Sequence, residues 1–167
     1  MAITYTPIAT QTLSSATTSV TFSSISGTYT DLKFVIIAGQ TPLNENMRWR
    51  YNSDTGGNYA YTQILGNGTT ASSSRSNSSV TGLQLSGDLG GSAIASLIKI
   101  DIMNYSNTTT HKPSLTRFDS IQKSRTQLNI GLWMSTSAIT SVTFDFTNGT
   151  DTFVAGSTFS LFGIKAA

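Results

Sequence analysis

The chain has 167 residues, no cysteine and a formal charge of +2 built from only 10 basic and 8 acidic residues. Disulfides, thiol chemistry and thiolate metal sites are excluded, and the clustered Lys and Arg of a nucleic-acid footprint are missing. Ser and Thr supply 52 residues while 11% of the chain is charged, well under the roughly 25% of an ordinary soluble protein, so the surface is kept wet by hydroxyls more than by ions.

Alternation at two residues runs through nearly the whole chain, and no stretch repeats at 3.6. The opening MAITYTPIATQTL has neither a charged n-region nor an apolar h-region, and no run approaches 18 apolar residues, so no signal peptide and no membrane span are expected. The first predicted strand, 18–25, contains SVTF, which returns at 141–144 as a coincidence of strand composition rather than an internal repeat. The second, 29–38, holds Phe34-Val35-Ile36-Ile37-Ala38, apolar on both faces, which fits a central strand covered on its outer side or a subunit contact. At 46–52 the sequence NMRWRY places Met47, Trp49 and Tyr51 on one side and Arg48 with Arg50 on the other. A DTGGN turn follows, then a strand at 59–65 with Tyr59 and Tyr61.

From 66 to 82 the chain reads GNGTTASSSRSNSSVTG, too polar to order itself by burial, and is expected to be an exposed loop or arm. Strands resume at 80–85 and at 93–104, where Ile98, Ile100 and Ile102 oppose Lys99 and Asp101. Leu115, Phe118 and Ile121 are spaced by three, so 114–120 reads as a bulged strand or a short helix. Strands at 127–134, 140–147 and 157–164 complete ten. Ten strands in one domain over 1–167, each with an apolar face, indicate an all-β fold, an antiparallel jelly-roll-like β-sandwich.

Chemistry is sparse. His111, inside NTTTHKPS, has no G-x-S-x-G elbow to serve and no Cys or second His to share a metal with. Asp54, Asp88 and Asp151 lie in turns where Asp bonds its own backbone, while Asp101, Asp119 and Asp145 are placed on solvent-facing strand positions. No carboxylate pair, phosphate loop, metal site or cofactor motif stands out, and an enzyme is not expected. Five N-x-[ST] sequons, at Asn67, Asn77, Asn104, Asn107 and Asn148, follow from composition and are read as unmodified. The residues best suited to contact a partner are Arg48, Trp49, Arg50, Tyr51, Tyr59 and Tyr61. They read as core filling with solvated arginines, as a subunit contact rich in Arg and Tyr, or as an aromatic platform for glycans.

The run MRWRYNSDTGGNYAYTQILGNGTTASSSR resembles a segment of virion structural proteins of tailed bacteriophages, especially phages of marine cyanobacteria and other marine bacteria. The ending SVTFDFTNGTDTFVAGSTFSLFGIKAA is similar to their closing strands, and TYTDLKFVIIAG to their opening ones. The resemblance implies a capsid decoration or cement protein on the outer surface of the virion, made in the host cytoplasm. Its partners would be copies of itself, as a homotrimer, and the major capsid protein or another virion protein, with no nucleic acid and no membrane. The alternative is a short tail-fibre or receptor-binding module that recognises host glycans.

Overall fold

The computed structural model describes residues 5–43, 45–91 and 95–165. Its strands are β1 (Tyr5–Thr12), β2 (Val20–Phe22), β3 (Asp31–Ala38), β4 (Gln40–Thr41), β5 (Met47–Tyr51), β6 (Tyr59–Gly66), β7 (Ala71–Val80), β8 (Leu83–Gln84), β9 (Ser96–Ile102), β10 (Lys112–Ser120), β11 (Arg125–Trp133), β12 (Val142–Phe146), β13 (Thr152–Phe153) and β14 (Thr158–Ile164). An eight-stranded sheet runs β1-β14-β3-β9-β10-β11-β6-β7 and faces a four-stranded sheet, β2-β12-β5-β8; β13 and β4 form a short third pair. All pairings are antiparallel. The molecule is the expected antiparallel β-sandwich, with sheets of unequal width.

The core follows from the period of two. Leu32, Phe34, Ile36 and Ala38 on β3 and Ile98, Ile100 and Ile102 on β9 point inward. They meet Phe22 of β2 and Phe144 of β12 from the opposite sheet, with Phe34 and Phe144 edge to face at 5.0 Å between centroids. The ring chain continues through Phe159 and Phe153 to Phe146. β14 lies between β1 and β3, hydrogen-bonded on both sides, so the alternation in TFSLFGI is that of an interior strand. The two SVTF segments pair with each other: Val142 lies opposite Phe22, Phe144 opposite Val20, and the hydroxyls of Thr21 and Thr143 are 3.0 Å apart. In this antiparallel register each copy's Val faces the other's Phe, so the same tetrapeptide fits itself.

Four expectations need correction. The span 66–82 is not a free arm, because 71–80 is the edge strand β7, paired along β6. Burial does not order it; backbone hydrogen bonds to a strand already fixed do. β1 was unforeseen, since YTPIATQT shows no apolar alternation and carries a Pro, which is tolerated at an edge. Leu115, Phe118 and Ile121 form no helix: Leu115 and Phe118 lie on opposite faces of β10, and Ile121 begins the turn after it. β3 is an interior strand as expected at Phe34-Ala38, but no element among the described residues packs over its outer side, where Ile37 remains 52% exposed. The expected strand at 93–104 is seen from Ser96, its start at Ala93 lying outside the described residues.

The wide sheet outgrows the narrow one, and its inner face changes character where this happens. On β10, β11 and β6 the inward positions include Thr116, Gln127, Asn129 and Gln63, all buried. The amides form a bonded seam. Gln127 Nε2 donates to Gln63 Oε1 (2.8 Å), Gln63 Nε2 to Ser74 Oγ of β7 (2.7 Å), and Asn129 Nδ2 to the Gln84 carbonyl (2.9 Å). The Ser86 N–H donates to Gln127 Oε1 at 3.0 Å. At Gly131 the sheets approach so closely that a Cβ would stand 2.7 Å from Leu83 Cδ1. Replacing Gln127 with Ala orphans the Ser86 N–H and the Gln63 carbonyl together, and is expected to cost about 3 kcal/mol in urea unfolding with the slope unchanged.

Candidate functional site

On β5 the alternation sends Met47, Trp49 and Tyr51 into the core and Arg48 and Arg50 to the outer side of the narrow sheet. Register with β12 puts Asp145 opposite Arg48. Arg48 grips it bidentately, Nε to Oδ1 at 2.9 Å and a terminal nitrogen to Oδ2 at 3.0 Å, and Arg50 donates to Oδ2 as well. The chain after β7 crosses above: Arg48 reaches Thr81 Oγ1 at 3.4 Å, and a Cβ on Gly82 would lie 2.7 Å from Arg48 Cγ. Asp145, expected on a solvent-facing position, is therefore 7% exposed. One carboxylate is thus shared by two guanidiniums. The cluster clamps β5 to β12.

The rings have been taken by the core. Trp49 is 1% exposed and Tyr51 and Tyr59 are fully buried. Trp49 Nε1 donates to Tyr51 Oη (3.1 Å), and Tyr59 Oη accepts from the Tyr51 N–H (3.1 Å) and donates to the Asp54 carbonyl (3.2 Å). Tyr51 and Tyr59 pack against Trp133 with centroids 5.6 and 6.4 Å away. Burial pushes the Tyr51 phenol up to about 12 and raises that of Tyr59 as well. A glycan platform or a subunit contact needs accessible rings, so Trp49, Tyr51 and Tyr59 serve neither. Tyr61 is half-buried and its hydroxyl accepts from Gln84 Nε2 at 3.1 Å.

Asp54 anchors the DTGGN turn as expected, accepting from the Gly56 N–H at 2.8 Å, and also bonds Trp133 Nε1 (2.7 Å) and Asn58 Nδ2 (3.0 Å). Three of the sequons have a structural reason. Asn67, Asn107 and Asn148 each accept, through Oδ1, the backbone N–H groups two and three residues on. At Asn67 and Asn107 the Thr hydroxyl two residues on donates as well. The N-x-T spelling is that of an Asx turn. His111 is exposed, and among the described residues no three His, Cys, Asp or Glu gather where a metal could sit.

The accessible feature of this molecule lies on the other sheet. β11 reads QLNIGLW from Gln127, with Leu128, Ile130 and Leu132 in one phase and Gln127, Asn129 and Gly131 in the other; the polar phase faces the core and the apolar phase faces out. Ile130 is 59% and Ile64 of β6 60% exposed, and Leu115 and Leu128 stand beside them. Register joins them, Leu128 opposite Ile64 and Ile130 opposite Leu115. Two shallow depressions flank the row, one around Ile64, Arg117 and Leu128, the other around Tyr61, Pro113, Ile130 and Leu132. Sequence reading missed this patch because period fixes which residues share a face, not which face is inner. The signal available was β11's two phases, of which the uncharged polar one can be buried only if its amides are bonded.

Comparison with family models, curated proteins and solved structures finds no match for this chain.

Two outcomes follow. Trp49→Ala leaves a large cavity and is expected to cost about 4 kcal/mol in chemical denaturation, so any binding lost in that variant would report unfolding. Burial pushes the Asp54 carboxyl up, but the hydrogen bonds from Trp133, Asn58 and Gly56 outweigh it and hold it below the ordinary carboxylate value. The folded state then binds fewer protons than the unfolded one, so this stabilisation is complete above about pH 4 and is lost as pH falls through the folded-state value. Urea unfolding of Asp54→Asn should show lower stability at neutral pH and a shallower acid decline than the parent chain.

Proposed function

We propose that the protein is a virion structural component, a decoration or cement module on the outer surface of a bacteriophage head that stabilises the assembled shell by binding it. The observation that carries this reading is the exposed apolar row on the outer face of the eight-stranded sheet, Ile64, Leu115, Leu128 and Ile130. Contiguous apolar surface of this kind marks a protein–protein assembly contact, and a sheet face suits stacking better than enclosure of a small ligand. The likeness of the 47–75 and 141–167 segments to phage virion proteins supplies the setting. Self-association and attachment to the shell belong to the same reading. The tail-tip alternative keeps only Tyr61 of its aromatic set in partial contact with solvent.

Quantitative mass spectrometry of purified particles tests the assignment. Copy number in step with the shell protein is expected; a few copies per particle would move the protein to the tail, and absence from particles would end the reading.

A further inference from the structure

We infer that the outer face of the eight-stranded sheet is covered by a second copy of this chain, the two sheets packing face to face across a dyad. The inference rests on the reading of this face as an assembly surface and names its occupant.

Registers across the sheet place its outward residues in rows. One row runs Val35, Lys99, Arg117, Leu128, Ile64. The next runs Lys33, Asp101, Leu115, Ile130, Thr62. The face is therefore graded: a hydroxyl ladder at β1 and β14, where Thr10 bonds Ser160 and Thr12 bonds Thr158, then charges on β3 and β9, then β10, where Leu115 stands beside the Arg117–Asp119 pair, then apolar residues on β11 and β6. A dyad lying in the interface, perpendicular to the strands and midway between the two rows, sets each strand against its own copy. Leu128 then meets Ile130 of the second copy, and the stem of Arg117 meets Leu115.

The same operation brings Lys99 onto Asp101 of the second copy, twice by symmetry. Lys99 is exposed and makes no ion pair among the described residues. Asp101 gives only Oδ1 to Lys33, at 2.6 Å. Because the sign alternates along β9, a copy turned end for end meets its opposite charge, and a partner surface of one sign would not. Size agrees too. Eight strands about eight residues long present roughly 900 Å², against about 800 Å² per partner in a stable complex. A three-fold ring, as the resemblance implies, joins different patches around its axis, whereas a dyad joins a patch to itself, as the self-complementary Lys99 and Asp101 require.

Sedimentation of the full chain over a concentration series is the test. The parent chain is expected to form a reversible dimer. Ile130→Asp should be monomeric, and Lys99→Glu should raise the dissociation constant about tenfold. An equimolar mixture of Lys99→Glu and Asp101→Lys chains should associate more tightly than either does alone. Positions 99 and 130 are solvent-exposed, so unchanged circular dichroism and thermal midpoint confirm that the Lys99→Glu and Ile130→Asp variants are folded. A parent chain monomeric at every concentration, or a dimer indifferent to both substitutions, overturns the inference. So does a cross-linker attached at position 130 that captures another virion protein on intact particles and never a second copy in concentrated solution, which would make that protein the occupant. Particle copy number is read separately, so failure of the dimer and failure of the virion assignment are distinguishable.

Discussion

A sheet of eight strands facing a sheet of four leaves part of its inner side without a strand opposite, and this mismatch governs the molecule. Hydrophobic filling serves where the sheets overlap, between β3, β9, β14 and the β2-β12-β5 strands. Beyond that overlap the opposing wall is irregular chain from Gln84 onward, whose peptide groups must be satisfied. Gln127 accepts from the Ser86 N–H, Asn129 donates to the Gln84 carbonyl and Arg125 caps the Ser86 carbonyl, while Gln63 accepts from the Gln127 side chain behind them. Buried amides in place of aliphatic side chains cost desolvation energy that their bonds offset, with Asn129 Oδ1 left without a partner among the described residues. They fix this segment in one position, which an oily interior would not.

That seam has a second effect. A strand has two faces, and once the polar phase of β11 is committed to the interior, its apolar phase has no place but outside. The exposed row from Leu115 to Ile64 is the outward image of the inward seam. The Arg48, Arg50 and Asp145 clamp does comparable work on the narrow sheet, where the carboxylate holds two like charges two residues apart on one strand. Both devices join segments far apart in the chain, and both trade hydrophobic area for directional bonds.

Much of the architecture could be read from spacing. In β9 and β12 one phase is apolar and the other mostly polar, so strand and inner face were both legible, whereas β3 and β14 carry Val35, Ile37, Phe162 and Ile164 in the outward phase and showed the strand more plainly than its inner face. β7 was illegible because a row of Ser has no phase, and β1 because its contribution to the core is slight. The site was legible in part. Period separated Arg48 and Arg50 from Trp49 and Tyr51 correctly, yet whether those rings faced a core or a partner depends on what lies opposite. Asp145 was misplaced for the same reason: the strand on which it sits was clear, but its register against Arg48 is set by chain nearly a hundred residues away. Pairing across such separations is written in three dimensions, and composition does not carry it.

The hydroxyl and carboxamide turns have a bearing on where such a protein can work. Asn67, Asn107 and Asn148 close their loops without a formal charge, and the Thr ladders at the β1 edge add neutral bonds of the same kind. Mobile ions screen charges and leave neutral dipoles nearly untouched. Loops closed in this way keep their bonds in fresh water and in brine alike, so a change of salt leaves their geometry as it is.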